Sequence, residues 1–296
     1  MTMMFDSSFI SNKKTINVLL IGHCCHDIMR NGHIKLGGSI AYMSSICNSL
    51  GILPRVITSY GPDFLFFDPF YTTCGEIICI PSHFTTTFEN IYTEQGRVQK
   101  IYNKASNITI RELKENDKPP DVVVLAPIAD ELDTALCRAF PDSITIATVQ
   151  GWLRTWDESG WVRQKDFDLE VLKGIDILIL STEDYPGIEN QISRLVEIFP
   201  LIVITDNFNG ACMYTDEYAM HFPSYKVSEV DPTGAGDAFA AGFFINYIHT
   251  GDYIESMISG HTFASLNIEK PGIEHINPQT IQSRFKEYPR DLIKKL

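Results

Sequence analysis

Six short runs of mainly apolar, often β-branched residues recur along the chain, and helix-patterned stretches separate most of them. The runs are INVLLIG (16–22), RVITSYG (55–61), DVVVLAPI (121–128), SITIATVQ (143–150), DILILS (176–181) and LIVITD (201–206). A strand that is apolar on both sides needs cover on both sides, and crossover helices supply it. The expectation is an α/β fold: a doubly wound, mainly parallel sheet with helices on both faces. Helical patterns span Gly38 to Leu50, ADELDTALCRAF (129–140), ENQISRLVEIF (189–199) and DYIESMISGHTFASLNIEK (252–270). Between the last two, GACMYTDEYAMHFPSY (210–225) reads as short strands.

One region departs from this rhythm. TTTFENIYTEQGRVQKIYNKA (85–105) alternates apolar and polar residues about a Glu-Gln-Gly turn, the pattern of a β-hairpin. An antiparallel hairpin within a parallel α/β unit must lie outside the main sheet, as a lid over a cleft or an edge decoration. No linker, repeat or low-complexity tract marks a second domain. We therefore expect one domain over 15–296, with a loose tail at 1–14 and a lid at about 85–105, possibly extended by 33–36.

Charge and cysteine usage narrow the function classes. With 37 acidic and 24 basic residues the formal net charge is −13. That balance argues against nucleic-acid or anionic-membrane partners, which require a basic stripe. The seven cysteines contain no CxxC pair and do not form a secreted disulfide framework, so a reducing cytoplasm is the expected location. In His23-Cys24-Cys25-His26, consecutive residues at a strand end point to opposite faces, so four metal ligands would not converge. Cys74 and Cys79 read as core or loop thiols.

The chemistry concentrates in Asp231-Pro232-Thr233-Gly234-Ala235-Gly236-Asp237. A strand-like SYKVSEV (224–230) precedes it, and AFAAGFFINYIH (238–249), apolar almost all round, reads as a buried helix behind it. A Gly-rich turn opening a helix is an anion site, since first-turn amides and the positive dipole end face the ligand. Gly234 and Gly236 permit close backbone approach. The same position keeps Asp237 ionised and able to take a proton. There is no GK[ST] Walker loop, and no GxGxxG follows the first strand.

DPTGAGDAFAAGF resembles the C-terminal signature of the PfkB, or ribokinase-like, carbohydrate kinase family, usually written DTxGAGDxF. The resemblance runs over about residues 16–278. VLLIGHCCHDI is similar to the family's first strand ending in a substrate Asp, here Asp27, and LGGSIAYMSSICNSLG to its Gly-Gly substrate motif, here Gly37 and Gly38. HDI, TTTFENIY, QGWLR and STED resemble the branch with plant myo-inositol kinases and poorly characterised bacterial sugar kinases. What the resemblance implies is an ATP-dependent kinase: Asp237 as general base, with Gly234, Ala235 and Gly236 forming an anion hole. Asp27, Gly37, Gly38, Gln150 and Arg154 would hold a polyol. ATP would meet Ser181, Asp184, Thr205, Gly210, Thr233, His261 and further residues up to 272. Mg²⁺ would lie by Asp184 through water, and a monovalent cation by Asp231.

Four segments depart from the family pattern. The family's Asn after the Gly-Gly pair is replaced within Ser39-Ile40-Ala41-Tyr42, NxxE becomes Ser181-Thr182-Glu183-Asp184, TxG becomes Thr205-Asp206-Asn207, and His261 stands where an Asn would flank adenine. A myo-inositol-like cyclitol is the first expected acceptor, with ribose, a hexose or a nucleoside as alternatives. A non-catalytic sugar or nucleotide sensor is the rival class. The oligomer is expected to be a monomer or homodimer.

Overall fold

The computed structural model describes residues 16–93, 96–113, 119–270 and 275–296. The expected tail (1–14) and the turn residues 94 and 95 of the hairpin lie outside them. Among the described residues the central sheet has ten strands. Its parallel part comprises β1 (Val18–Ile21), β4 (Arg55–Tyr60), β5 (Glu76–Pro81), β8 (Val122–Leu125), β9 (Ile144–Thr148), β12 (Ile177–Ser181) and β13 (Leu201–Thr205). β14 (Ala211–Tyr214), β15 (Ala219–Phe222) and β16 (Lys294–Lys295) extend one edge antiparallel. The spatial order is β16-β15-β14-β13-β12-β9-β8-β1-β4-β5. The strand order therefore reverses around β1, and ligands of such sheets bind beyond the carboxyl ends at that reversal.

The two faces are covered differently. On one lie α1 (Ser39–Ser49), α4 (Ala235–Thr250), α5 (Tyr253–Glu269) and α6 (Pro278–Lys286), closing over a core that includes Leu20, Val124, Phe243 and Phe263. A short α2 (Phe67–Tyr71) adds buried Phe70. The other core contains Leu136, Trp152, Leu172 and Phe199, and its cover is single turns. ADELDTALCRAF yields only a 3₁₀ turn at Thr134–Arg138, and ENQISRLVEIF a 3₁₀ turn at Ile188–Gln191 running into the four-residue α3 (Ile192–Leu195). Asp130 lies at φ 52°, and Pro141 and Pro200 follow the two segments, so neither has room to propagate a helix.

A second sheet of four strands, ordered β3-β2-β6-β7, stands apart from the first. It holds β2 (Cys25–Ile28), β3 (Ile34–Gly37), β6 (Thr87–Thr93) and β7 (Gly96–Asn103), the last two being the predicted antiparallel hairpin. A third, two-stranded sheet pairs β10 (Arg154–Trp156) with β11 (Val162–Gln164). SYKVSEV is not a strand. It runs as an irregular segment after Pro223 and is tied at its end by the Val230 amide to the Ile268 carbonyl.

Candidate active site

β1 stops at Ile21 because Gly22 passes hard against the end of β8: a Cβ there would lie 2.4 Å from the Ala126 carbonyl oxygen. The chain then leaves the main sheet, so Asp27 sits not on the first strand, as its sequence context implied, but on β2 of the small sheet. The Gly-Gly pair exists for the same crossing. A Cβ on Gly37 would meet the Asp27 carboxylate at 2.2 Å, and Gly38, at φ 95°, would meet the His23 carbonyl oxygen at 2.4 Å. Both glycines thus bring the start of α1 against the Asp27 strand.

The four side chains of His23-Cys24-Cys25-His26 diverge. Cys24 contacts Thr58, Cys25 joins a cluster with Phe88 and Ile101, and His26 packs on Phe64 and accepts from the Leu65 amide. The His23 imidazole is buried between the two connections of the small sheet. Nε2 faces the Ser106 carbonyl oxygen at 2.9 Å and must donate, while Nδ1 accepts from the Thr86 hydroxyl at 2.8 Å. Burial holds its pKa below the usual histidine value, consistent with this neutral tautomer. The Glu131 carboxylate, fully buried, accepts from the amides of His23, Ile128 and Ala129. This carboxylate ties the exits of β1 and β8 together.

The Gly-rich turn has the local structure its sequence implies. Gly234 is the left-handed N-cap of α4 (φ 78°), and Asp237 lies in the first turn. The Asp231 carboxylate accepts from the Thr233 amide at 3.0 Å, and buried Asn267 of α5 donates to the Thr233 carbonyl at 2.8 Å. In this arrangement the Ala235 amide donates to the Pro232 carbonyl. Gly236 is exposed and Asp237 partly so.

Asp27 and this loop line one cleft. Lys35 and Asn90 reach it from the small sheet, and Asp231 and Thr233 from the loop, with Tyr42 of α1 between them. The Asn90 amide oxygen accepts from Gln99 at 2.7 Å, which orients it. Lys35 and Asn90 were not singled out from the sequence, and Tyr42 was only one of two aromatics, with Trp152, that could stack on a ligand. The register that places Lys35 opposite Asp27 becomes visible only once β2 and β3 pair.

Gln150 and Arg154 follow β9 at the carboxyl side of the sheet. Gln150 donates to Asp184 at 2.9 Å, joining an expected acceptor residue to an expected donor residue. The Arg154 guanidinium donates to the Ile128 carbonyl and lies 5.8 Å from the Phe88 ring centre. Ser181 and Thr205 are register partners at the ends of β12 and β13. Gly210, at φ 103°, lets the next turn pass the Phe222 carbonyl. Mg²⁺ commonly takes one or two carboxylates together with substrate phosphates; Asp184 would be the carboxylate for it, with Glu183 accepting from Asn207 at 2.9 Å.

His261, expected to flank adenine, lies in the core of the helical layer. It is 6% exposed, edge-on to Phe239 at 5.2 Å and 5.8 Å from Tyr288. Its Nε2 has no partner among the described residues, and burial pushes its pKa down to about 3. Part of the expected nucleotide segment, 271 and 272, lies outside the described residues.

The model of the pfkB family carbohydrate kinase matches residues 93–280, a span that includes the Gly-rich turn and Asp237. The chain belongs to the pfkB carbohydrate kinase family. It is accordingly a phosphotransferase of carbohydrate kinase type. Inositol 3-kinase of Arabidopsis thaliana is 24% identical to this pfkB-family chain over 297 residues, 92% of the chain and 80% of that protein. The fold matches a pyrophosphate-dependent ribokinase-family kinase complexed with a pyrophosphate analog and myo-inositol (TM-score 0.70, 20% identity, 86% of this chain and 96% of that one). It also matches Arabidopsis thaliana ribokinase complexed with ribose and ATP (TM-score 0.73, 15% identity, 92% and 99%). Among the described residues no helix is long and apolar enough to cross a membrane.

Proposed function

We propose that this kinase phosphorylates one hydroxyl of a small cyclitol or sugar, with a myo-inositol-like polyol as the first candidate. The observation that carries the reading is the single cleft shared by Asp27, Asn90 and the Gly-rich turn that leads into Asp237. The extended similarity to inositol 3-kinase supports the same choice.

In this reading Asp27 and Asn90 accept and donate to acceptor hydroxyls, with Gly37, Gly38, Gln150 and Arg154 shaping the pocket around them. Asp237 takes the proton of the reacting hydroxyl. The amides of Gly234, Ala235 and Gly236 hold the oxygens of the transferring phosphoryl, which requires the Ala235 amide to leave the Pro232 carbonyl. ATP would lie along Ser181, Asp184, Thr205, Gly210 and Thr233, with His261 behind. Mg²⁺, when bound beside Asp184, would neutralise phosphate charge, and Asp231 is the position for a monovalent cation. The small sheet acts as the lid.

A second donor reading has its own observation. His261 is enclosed by Phe239 and Tyr288 instead of forming an open wall, and a structural relative is pyrophosphate-dependent. Inorganic pyrophosphate would need the anion site but no base pocket. The test is donor consumption by the purified protein, with ATP and with pyrophosphate, against a panel of polyols, sugars and nucleosides. Turnover of one acceptor that is lost in Asp237→Asn supports the kinase reading and names donor and acceptor together. Donor binding without turnover on any acceptor would sink it in favour of a sensor.

A further inference from the structure

The cleft has one aromatic wall among its described lining residues, and the acceptor roles assigned above do not use it. Tyr42 stands on the first turn of α1, and its ring lies directly against Gly234: a Cβ on that glycine would fall 2.5 Å from Cδ1 and from Cε1. The ring is therefore held by the Gly-rich turn itself. On its other sides are Asp27, Lys35 and Asn90 of the small sheet and Asp231 and Thr233 of the loop, all polar. Met29 is the remaining apolar group.

We propose that the Tyr42 ring is the surface on which the C–H face of the acceptor packs, and that it selects a compact saturated ring over a bulkier nucleoside. A polyol ring has two kinds of surface. Its hydroxyls point outward to donors and acceptors, here Asp27, Asn90 and Lys35. Its ring face is apolar and gains most from a rigid aromatic plane. Tyr42 provides that plane between Asp27 and the turn that carries Asp237. Burial, reinforced by the charges of Asp27, Asp237 and Asp231, raises the phenol's pKa and keeps it protonated. The same ring, beside Asp27 and Asn90 in the cleft lining, occupies space that a base attached to a furanose would need. The inference rests on the acceptor reading proposed above.

The experiment compares wild type, Tyr42→Phe and Tyr42→Ala for kcat and KM on myo-inositol, ribose and adenosine at saturating donor. Tyr42→Phe keeps the ring and is expected to preserve the wild-type acceptor order. Tyr42→Ala is expected to raise the small-ring KM at least about ten-fold and to shift the inositol-to-adenosine ratio of kcat/KM by a similar factor. If Tyr42→Ala does not fold by thermal melting, Tyr42→Leu, which keeps bulk without the aromatic plane, is read in its place. An unchanged ratio in a folded variant overturns the inference, as does an equal loss in Tyr42→Phe and Tyr42→Ala. Wild-type preference for adenosine overturns it too while leaving the kinase intact. Absence of any wild-type turnover removes the kinase reading itself.

Discussion

At the residue scale, two carboxylates do opposite things. Asp237 is partly exposed at the start of a buried helix, where the macrodipole favours its charged form. Asp237→Asn keeps the size and the helix start but cannot take a proton. We expect kcat to fall by about 10²–10⁴-fold with an unchanged melting temperature, measured by steady-state kinetics and calorimetry. Glu131 is fully buried and accepts from three backbone amides that have gathered at the root of the small sheet. Glu131→Ala orphans them, each at about 1–3 kcal/mol. The expected loss is more than about 3 kcal/mol in urea unfolding, and a loss under 1 kcal/mol would show that water replaces the carboxylate. Of these two residues, Asp237 was legible in the sequence because its neighbours in the chain are also its neighbours in space. Glu131 was read only as part of a helix, since its partners His23 and Ile128 assemble across β1 and β8.

At the element scale, the anion loop depends on how α4 meets α5. The crossing is close because glycines line it: a Cβ on Gly242 would lie 2.6 Å from Phe263 and 2.8 Å from the Ser259 carbonyl oxygen. Ser259 in turn donates to the Gly242 carbonyl at 2.7 Å. Gly242→Ala should therefore push the helices apart and cost about 1–3 kcal/mol through overpacking, despite the better helix propensity of alanine. Because Asn267 of α5 holds the Thr233 carbonyl, the same variant should also raise the donor KM. Chemical denaturation and kinetics check the two arms separately, and a stabilised protein would refute the packing argument. The long elements α1, α4 and α5 and the hairpin were readable because their residue patterns are local: alternation in the hairpin, and in α4 an apolar run behind a Gly-rich turn. The expected helices at 129–140 and 189–199 were not, since their apolar residues serve a face covered by turns.

At the scale of the whole molecule, buried neutral histidines link stability to pH. His23 and His261 both have pKa values lowered by burial, the latter to about 3 against 6.5 for an ordinary imidazole. Above pH 6.5 neither state binds the proton, so no stability is lost. As pH falls below 6.5 the unfolded chain takes up protons that the folded chain refuses, and stability declines until the folded pKa is reached. For His261 that window runs from about 6.5 down to about 3, with a slope of at most about 1.4 kcal/mol per pH unit. His261→Phe should flatten the decline over this range. Urea midpoints measured from pH 7 to 4 test it, and an unchanged slope would mean that His261 is protonated within the fold.

The sequence by itself determined the α/β class, the family signature and the turn carrying Asp237. Strand identity, glycine spacing and a helix start are short-range properties, set by steric and hydrogen-bonding rules within a few residues. Only the tertiary structure decided that Asp27 belongs to a separate sheet, that Lys35 and Asn90 share its cleft, and that Tyr42 rests on Gly234. The same holds for His261, which packing encloses beneath Phe239 and Tyr288. Those relations join positions from β2 to α5, and they follow from strand register and helix packing, which are global outcomes of burying one core.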